Sequence, residues 1–221
     1  MNEKKNLIAF ATAWGAKYGG LNAFNYDLLI AVAAAHWSWL RVVCIVAECT
    51  DNDVRLARDQ FQVELVNLGL TAGSIDKERA ALAWTKLQAT GPAEATGNTV
   101  WLGHDRITGA VAIQMAKTHG GRSSLIHHMS YAHYESFAED SATSKAKEIE
   151  QRQLFSDASI CLAVGPLLRS AAANMLDRKS EDIPMLIPGL AEITPRKHHS
   201  TFIAFVSGRL DASAKKSNRP T

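Results

Sequence analysis

A glycine-containing segment near the amino terminus, Trp14-Gly15-Ala16-Lys17-Tyr18-Gly19-Gly20-Leu21, has the residue types needed to bind phosphate. Gly19 and Gly20 allow the backbone to approach a ligand closely. The helical pattern that follows would direct backbone N–H groups and the positive end of the helix dipole at this segment. Lys17 adds a formal charge. The segment is interpreted either as a phosphate site or as a tight turn without a ligand, since its spacing matches neither the dinucleotide fingerprint nor a Walker A loop.

Three histidines lie near the predicted ends of strands, where they could contact a ligand: His104, His127 and His128. Successive residues of a strand point to opposite faces, so only one of His127 and His128 can face a cleft. For His104 the alternatives are ligand contact and a surface or capping role. Tyr131 lies in a polar, aromatic segment whose rings would either contact a sugar or pack on the core.

These residues must be positioned by alternating strands and helices. Seven short apolar runs predict strands, and most lack polar alternation, as expected for strands covered on both faces. The runs are Leu7–Thr12, Arg41–Val46, Gln62–Asn67, Thr99–Leu102, Ser123–His127, Ser159–Val164 and Met185–Ile187. The alternation predicts an α/β fold with a Rossmann-like, doubly wound parallel sheet. Ligands bind such sheets at the carboxyl ends of the strands.

Six helices are predicted between the strands. The first has Leu21, Phe24, Leu28, Leu29 and Val32 on one apolar face. The others are Asp51–Gln60 with Asp51 or Asn52 as its cap, Ser74–Ala89, Ile107–Thr118, Tyr134–Phe155 and a helix that begins at Pro166 and ends near Leu176.

Composition indicates a globular protein, with 47% hydrophobic and 21% charged residues among 221. The net charge of +2 favours neither nucleic acid nor an anionic membrane as a partner. Three cysteines without zinc-ligand spacing suit buried thiols in a reducing compartment, so the expected location is the cytoplasm. No metal-binding motif is found.

The apolar stretch from Leu28 to Ala47 reaches a membrane-compatible length. It is interrupted by His36, Ser38 and Arg41 and divides into a helix and a strand, so no transmembrane segment is predicted.

The character of the chain changes after Pro188. Residues 1–189 are predicted to form the first domain and residues 190–200 a polar linker. Residues 201–221 would begin a second domain with a strand at Phe202–Val206 and a basic tail expected to be disordered. A lone strand cannot make a domain, so the sequence is expected to stop as the second domain begins.

The segment Lys17-Tyr18-Gly19-Gly20-Leu21 resembles the Lys-x-Gly-Gly-Leu loop of glycogen and starch synthases, and more generally the Gly-Gly loop of family-four glycosyltransferases. Five further segments resemble motifs of these enzymes in the family's order: Trp101–Asp105, Gly120–Ser130, Cys161–Gly165, Met185–Leu190 and Phe205–Leu210. The chain departs from the pattern where Gly165-Pro166 replaces a serine, where the Asn of the segment closing the first domain is absent, and where a lysine follows Arg209 later than usual.

The resemblance implies the first domain of a GT-B fold and roles for particular residues. His128 would be the functional histidine near the donor sugar, with His104, His127 and Tyr131 as possible acceptor or sugar contacts. The donor diphosphate would be held by Lys17, Gly19, Gly20, Arg209 and Lys215.

The implied reaction is retaining transfer of a sugar from a nucleotide-diphospho-sugar to a sugar or lipid-linked acceptor, without a cofactor or a metal. The acidic residues that hold the donor in this family would lie deep in a second domain, so this chain alone is expected to transfer no sugar. One alternative is a non-catalytic Rossmann-like binding module of a larger assembly. Another is an oxidoreductase or epimerase with a nucleotide cofactor, against which the missing dinucleotide fingerprint counts.

Overall fold

In the computed structural model, residues 5–90, 98–131 and 141–188 are described. Their seven strands form one sheet in the order β3-β2-β1-β4-β5-β6-β7, and all neighbouring strands are parallel. The strands are β1 (Lys5–Ala13), β2 (Leu40–Glu48), β3 (Val63–Asn67), β4 (Thr99–His104), β5 (Arg122–His127), β6 (Ile160–Val164) and β7 (Met185–Leu186). The predicted seven-stranded parallel sheet is confirmed.

Six α-helices lie within the described ranges. They are α1 (Gly20–His36), α2 (Asp51–Phe61), α3 (Lys77–Thr90), α4 (Ile107–His119), α5 (Ser141–Asp157) and α6 (Gly165–Leu176). The part of the predicted fifth helix from Tyr134 to residue 140 lies outside the described residues. None of the described helices is both long and apolar enough to cross a membrane.

The helices cover both faces of the sheet, because alternate strand residues are buried on opposite sides. On one face, Ile8 and Phe10 of β1 pack in a core with residues of α3, α4, α5 and α6. On the other face, Ala9 and Ala11 pack in a core with residues of α1 and α2. This is the doubly wound arrangement that the strand–helix alternation predicted.

The most buried side of α1 differs from the predicted apolar face. Its buried residues are Asn22, Asn25, Leu29 and Ala33, whereas Leu21, Phe24, Leu28 and Val32 are only partly buried. The helix is therefore rotated so that two asparagines meet the sheet. A buried amide needs hydrogen-bond partners, and both asparagines have them in the site described below.

Local capping corrects one predicted cap and moves two predicted boundaries, while the predicted start of α2 at Asp51 is confirmed. Thr50, not Asp51 or Asn52, caps α2, since its side chain accepts from Asp53 N and the Asp53 side chain accepts from Thr50 N in a capping box. Gln62 adopts a left-handed conformation that ends α2, so β3 begins at Val63. The third helix starts at Lys77, later than Ser74, because Asp76 Oδ1 accepts the N–H of Arg79 at 2.7 Å.

The three cysteines are free and buried, as predicted. Burial raises the pKa of Cys44 to about 12 and that of Cys49 to about 11, and it also raises the pKa of Cys161. The thiols are therefore protonated at neutral pH and serve packing.

The described residues belong to a compact unit that ends at Pro188. The predicted linker, residues 190–200, and the predicted second-domain segment, residues 201–221, lie outside the described residues. The domain boundaries stay a prediction.

Candidate functional site

The strand order reverses direction between β1 and β4, which are neighbours although β2 and β3 separate them along the chain. In open α/β sheets the ligand crevice lies at this point, outside the carboxyl ends of the strands. The segments that leave these ends are the glycine loop after β1, residues 105–106 after β4 and residues 128–130 after β5. They contain Lys17, Gly19, Gly20 and His128, and the strands that precede the last two segments end at His104 and His127.

The glycine loop joins β1 to α1 through two glycines in conformations that side chains disfavour. Gly15 has φ 96° and ψ 169°, and Gly19 has φ 101° and ψ 173°. This backbone region is essentially restricted to glycine. Gly20 is the first residue of α1. Nothing lies within 4 Å of a Cβ built on Gly19 or Gly20, so the space above both residues is open.

Asn22 fastens this loop to the end of β1. Its Oδ1 accepts the N–H of Ala13 at 3.2 Å, and its Nδ2 donates to Tyr18 O at 3.1 Å. The Tyr18 hydroxyl in turn donates to Glu48 Oε1 at 3.3 Å. These hydrogen bonds to buried and half-buried groups hold the glycine loop against the end of β1.

Lys17 is the cation of the loop, and its side chain is 57% exposed. Its Nζ lies 4.0 Å from Asp53 Oδ2 and 4.8 Å from the centre of the Tyr18 ring. An ion pair of this length at the surface contributes little stability. The Lys17 ammonium can therefore turn to an anion at the loop with small cost.

His104 and His128 form a polar pair at the carboxyl ends of β4 and β5. His104 is the last residue of β4, and His128 follows the last residue of β5. His104 Nδ1 lies 2.9 Å from His128 Nε2. The Phe24 ring of α1 packs edge-on against the His128 ring, with centroids 4.6 Å apart. Phe24 stands four residues after Gly20, about 6 Å along the helix axis, so α1 connects the glycine loop to the histidine pair.

Asn25 of α1 completes a chain of hydrogen bonds across the crevice floor. His104 Nε2 lies 2.8 Å from Asn25 Oδ1, and Asn25 Nδ2 donates to Cys44 Sγ at 3.7 Å. His104 is 1% exposed and Asn25 is fully buried. Both ring nitrogens of His104 are therefore occupied inside the protein, which places His104 beneath the crevice floor and not at its surface.

Burial keeps both imidazoles of this pair neutral. Desolvation, with a smaller contribution from His128, lowers the pKa of His104 well below its ordinary value. Desolvation lowers the pKa of His128 to about 4, although the nearby Asp105 charge acts in the opposite direction. Neither ring carries a charge at neutral pH.

Asp105 holds the end of β5 in place. Its Oδ1 accepts the backbone N–H of His128 at 2.9 Å and Nε2 of Gln151 at 2.9 Å, and it lies 3.2 Å from His127 Nδ1. Asp105 is 4% exposed, and its Oδ2 is buried without a partner in the described structure. It is also a non-glycine residue with positive φ, 44°. Strain and a buried carboxylate at one residue are frequent at functional sites.

His127 and His128 point to opposite faces, as strand geometry predicted. The His127 ring is 1% exposed and packs edge-on against Phe155 of α5, on the face of the sheet opposite to α1. His128 is thus the histidine of this pair that faces α1.

Tyr131 is buried, with 7% of its surface exposed. The Arg106 guanidinium lies 6.0 Å and the Lys147 ammonium 5.8 Å from the centre of its ring. Desolvation lowers the pKa of Arg106, but Tyr131 and Glu150 act in the opposite direction, and the net shift is upward. The tyrosine ring therefore packs within the protein, which is the alternative that the sequence left open beside sugar contact.

Arg209 and Lys215, predicted to bind the diphosphate, lie outside the described residues. Among residues 5–90, 98–131 and 141–188, no group of three or more His, Cys, Asp and Glu side chains is placed to hold a metal ion.

A groove of about 520 Å³ lies at the other edge of the sheet, at the amino ends of β2 and β3. Its walls are mainly apolar and include Trp37, Val42 and Leu65. The polar, convergent groups lie at the carboxyl edge, and ligands of open α/β sheets bind there. The candidate site is therefore assigned to the histidine pair and the glycine loop.

The fold of the described residues is that of a Rossmann-like α/β domain, and it is similar to the fold of GT-B glycosyltransferases. A family model described as "Family 4 Glycosyltransferase in conflict systems" matches residues 8–219. The chain belongs to this family. No curated protein matches its sequence.

Solved structures share the fold. A sucrose-phosphate synthase from Thermosynechococcus elongatus superposes with a TM-score of 0.59 and 14% identity over 83% of this chain. The chain spans 47% of that synthase chain, about half its length. A second structure, of part of the same synthase, gives a TM-score of 0.50 and 12% identity over 93% of this chain and 97% of that chain.

The sequence did not point to Asn25, Asp105 or Gln151. Asn25 interrupts an apolar helical stripe. An amide side chain on such a stripe is a sequence signal for a buried polar contact. Asp105 directly follows a predicted strand, the position where functional side chains gather in this class of fold. Gln151 lies 46 residues from its partner Asp105, and no local pattern marks it.

Proposed function

We propose that this chain contributes to retaining transfer of a sugar from a nucleotide-diphospho-sugar, with His128 beside the donor sugar and the glycine loop beneath the diphosphate. The observation that carries the proposal is the contact of Phe24 with His128, since Phe24 lies about one helical turn from the amino terminus of α1 and its ring contacts the neutral imidazole. Sugar and diphosphate of one donor molecule are separated by a comparable distance.

The glycine loop suits the diphosphate for three reasons. The first N–H groups of α1 have no partners within the helix, and Gly19 has no side chain to cap them. The space above Gly19 and Gly20 is open. The Lys17 ammonium is exposed beside it. In transfer, negative charge grows on the leaving diphosphate, and fixed N–H groups stabilise such charge without reorganisation.

Arg209 and Lys215 are proposed as further cations for the diphosphate, on the resemblance of their segment to the start of a donor-binding domain. His128 would contribute orientation. With a pKa of about 4 it is a poor proton donor near pH 7, and a neutral ring forms hydrogen bonds with sugar hydroxyl groups. The acceptor is proposed to be a sugar or a lipid-linked group, and the location the cytoplasm.

Donor binding tests the proposal directly. The chain is titrated with UDP-glucose, ADP-glucose and GDP-mannose, and with inorganic pyrophosphate to isolate the phosphate contribution, in a calorimeter. Gly19→Val should weaken binding of pyrophosphate and sugar nucleotide alike, because it fills the open space and disfavours φ 101°. His128→Ala should weaken binding of sugar nucleotide while leaving pyrophosphate unchanged.

His36→Ala is the matched control, since His36 is exposed at the far end of α1. A chain that binds neither sugar nucleotide nor pyrophosphate, or whose variants bind as the unchanged chain does, would contradict the proposal. Mass spectrometry of nucleoside diphosphate and glycosylated acceptor tests transfer separately, and this chain alone is expected to transfer no sugar because the acidic residues that hold the donor would lie in a second domain.

A non-catalytic binding module is the second candidate function. It is favoured by the groove at the amino ends of β2 and β3, where Trp37 is 58% exposed, with the neighbouring Trp39 46% exposed. Exposed aromatic groups beside an apolar groove are typical of interaction surfaces. Under this function, Trp37→Ala would abolish a partner interaction that His128→Ala leaves intact.

A further inference from the structure

We propose that Asn25 and His104 act through His128 as positioning residues: they fix the neutral Nε2–H tautomer of His128 and leave its Nδ1 as a hydrogen-bond acceptor for a hydroxyl group of the donor sugar. The assignment of the sugar rests on the proposed function. The assignment of the tautomer does not.

The chain of hydrogen bonds has one direction because it starts at a carbonyl oxygen. Asn25 Nδ2 donates to Cys44 Sγ at 3.7 Å, and Asn25 Oδ1 lies 2.8 Å from His104 Nε2. An amide oxygen only accepts hydrogen bonds, so the proton of the neutral His104 ring lies on Nε2.

The position of the proton on His104 determines its position on His128. With its proton on Nε2, His104 Nδ1 is a lone-pair acceptor. His128 Nε2, 2.9 Å away, must then be the donor. His128 is neutral too, so its Nδ1 has a lone pair and no proton. The opposite tautomer of His128 would set two lone pairs against each other across the 2.9 Å contact.

The His128 ring is also fixed in space. Phe24 packs against it at 4.6 Å with an interplanar angle of 79°. Its backbone N–H is held by Asp105 Oδ1 at 2.9 Å. Within the described ranges, His128 Nδ1 has no hydrogen-bond partner. A sugar hydroxyl that donates to this nitrogen meets an acceptor already oriented, which saves the ordering cost of binding.

Histidine ¹⁵N resonances of the full chain without ligand, recorded at pH 7, test the tautomer. We expect His104 and His128 both to show a protonated Nε2 and an unprotonated Nδ1. A protonated Nδ1 on His128 would overturn the proposal. Because no sugar is present, a chain that has this tautomer but binds no sugar nucleotide contradicts the proposed function alone.

Two variants of His104 separate positioning from packing. His104→Phe removes both ring nitrogens and should leave His128 as a mixture of tautomers. The affinity for UDP-glucose, or for another of the tested sugar nucleotides that the unchanged chain binds, should fall about tenfold, the value of one hydrogen bond. His104→Gln can again place a side-chain oxygen near His128 Nε2 and should restore the single tautomer. A His104→Phe chain whose His128 keeps a single tautomer contradicts the proposal.

Asn25→Leu provides an independent route if the His104 variants do not fold. It removes the amide oxygen at which the series of hydrogen bonds starts, while His104 remains. The rings of His104 and His128 should therefore both become tautomeric mixtures. His36→Phe is the control for altered histidine content, and its spectrum should match that of the unchanged chain at His104 and His128. Unchanged tautomers in Asn25→Leu would also overturn the proposal.

Discussion

Asp105 Oδ1 accepts the backbone N–H of His128 at 2.9 Å, which ties the loop after β4 to the end of β5. The same oxygen receives Gln151 Nε2 from α5 at 2.9 Å. One buried carboxylate thus joins two strands and a helix at the point where the sheet presents His128. The position of His128 therefore depends on Asp105 as well as on β5, which ends at His127.

Asp105→Ala should therefore lower the free energy of unfolding by about 3 kcal/mol, because buried donors lose their acceptor. Asp105→Asn keeps an oxygen at the Oδ1 position and tolerates the positive φ, so its loss should be less than half as large. Urea unfolding followed by circular dichroism measures both. Equal losses in the two variants would show that the acceptor oxygen is not what matters.

Gly103 sets how closely α4 lies on β4. A Cβ at this position would come within 2.6 Å of Gly109 Cα and Thr108 O, both of which are backbone atoms. Gly103→Ala should destabilise the chain by about 2 kcal/mol or more and displace α4. Gly20→Ala, at an open position without positive φ, is the matched control and should change stability by less than about 0.5 kcal/mol. A Gly103→Ala chain as stable as the control would contradict this packing argument.

The sheet could be predicted from the sequence because its strands are covered on both faces. Runs such as Arg41–Val46 have no polar alternation, and each run is separated from the next by a helical pattern. The carboxyl-edge rule then placed Gly19, His104 and His128 at the same end of the sheet. Some boundaries were less accurate, since they depend on single capping contacts such as that of Asp76 with Arg79 at the start of α3.

The polar network could not be predicted, because its contacts join residues far apart in the sequence. Asn25 and His104 are 79 residues apart, and His104 and His128 are 24 apart. Burial decides their roles, and burial depends on the rotation of α1. An apolar stripe predicted one rotation, whereas the hydrogen-bonding needs of Asn22 and Asn25 are met in another.

Acid should destabilise the fold through the histidine pair. The folded pKa of His128 is about 4, below the unfolded value of about 6.5. Between these values the unfolded chain binds more protons, so stability rises with pH in this window and is lost as pH falls through it. His104, whose pKa is also lowered, acts in the same direction.

Melting temperatures between pH 4 and pH 7 measure this effect. We expect His128→Gln to reduce the slope of melting temperature against pH, because it removes one of the histidines whose pKa the fold lowers. His36→Gln, at an exposed position, should keep the slope. A slope that is the same in all three chains would mean that protonation of His128 does not limit acid stability.

Asn25→Asp should change the protonation of His104 and reverse the tautomer of His128. A carboxylate 2.8 Å from His104 Nε2 favours the protonated imidazole, so the pKa of His104 should rise from its lowered value. A protonated His104 donates from both nitrogens, and His128 Nε2 must then accept. The proton of His128 moves to Nδ1, which would face a sugar hydroxyl as a donor.

Histidine ¹⁵N spectra between pH 5 and pH 8 report both changes, with Asn22→Asp as a control that adds the same charge to α1 without touching His104. A His104 that titrates as in the unchanged chain would contradict the coupling between Asn25 and the pair.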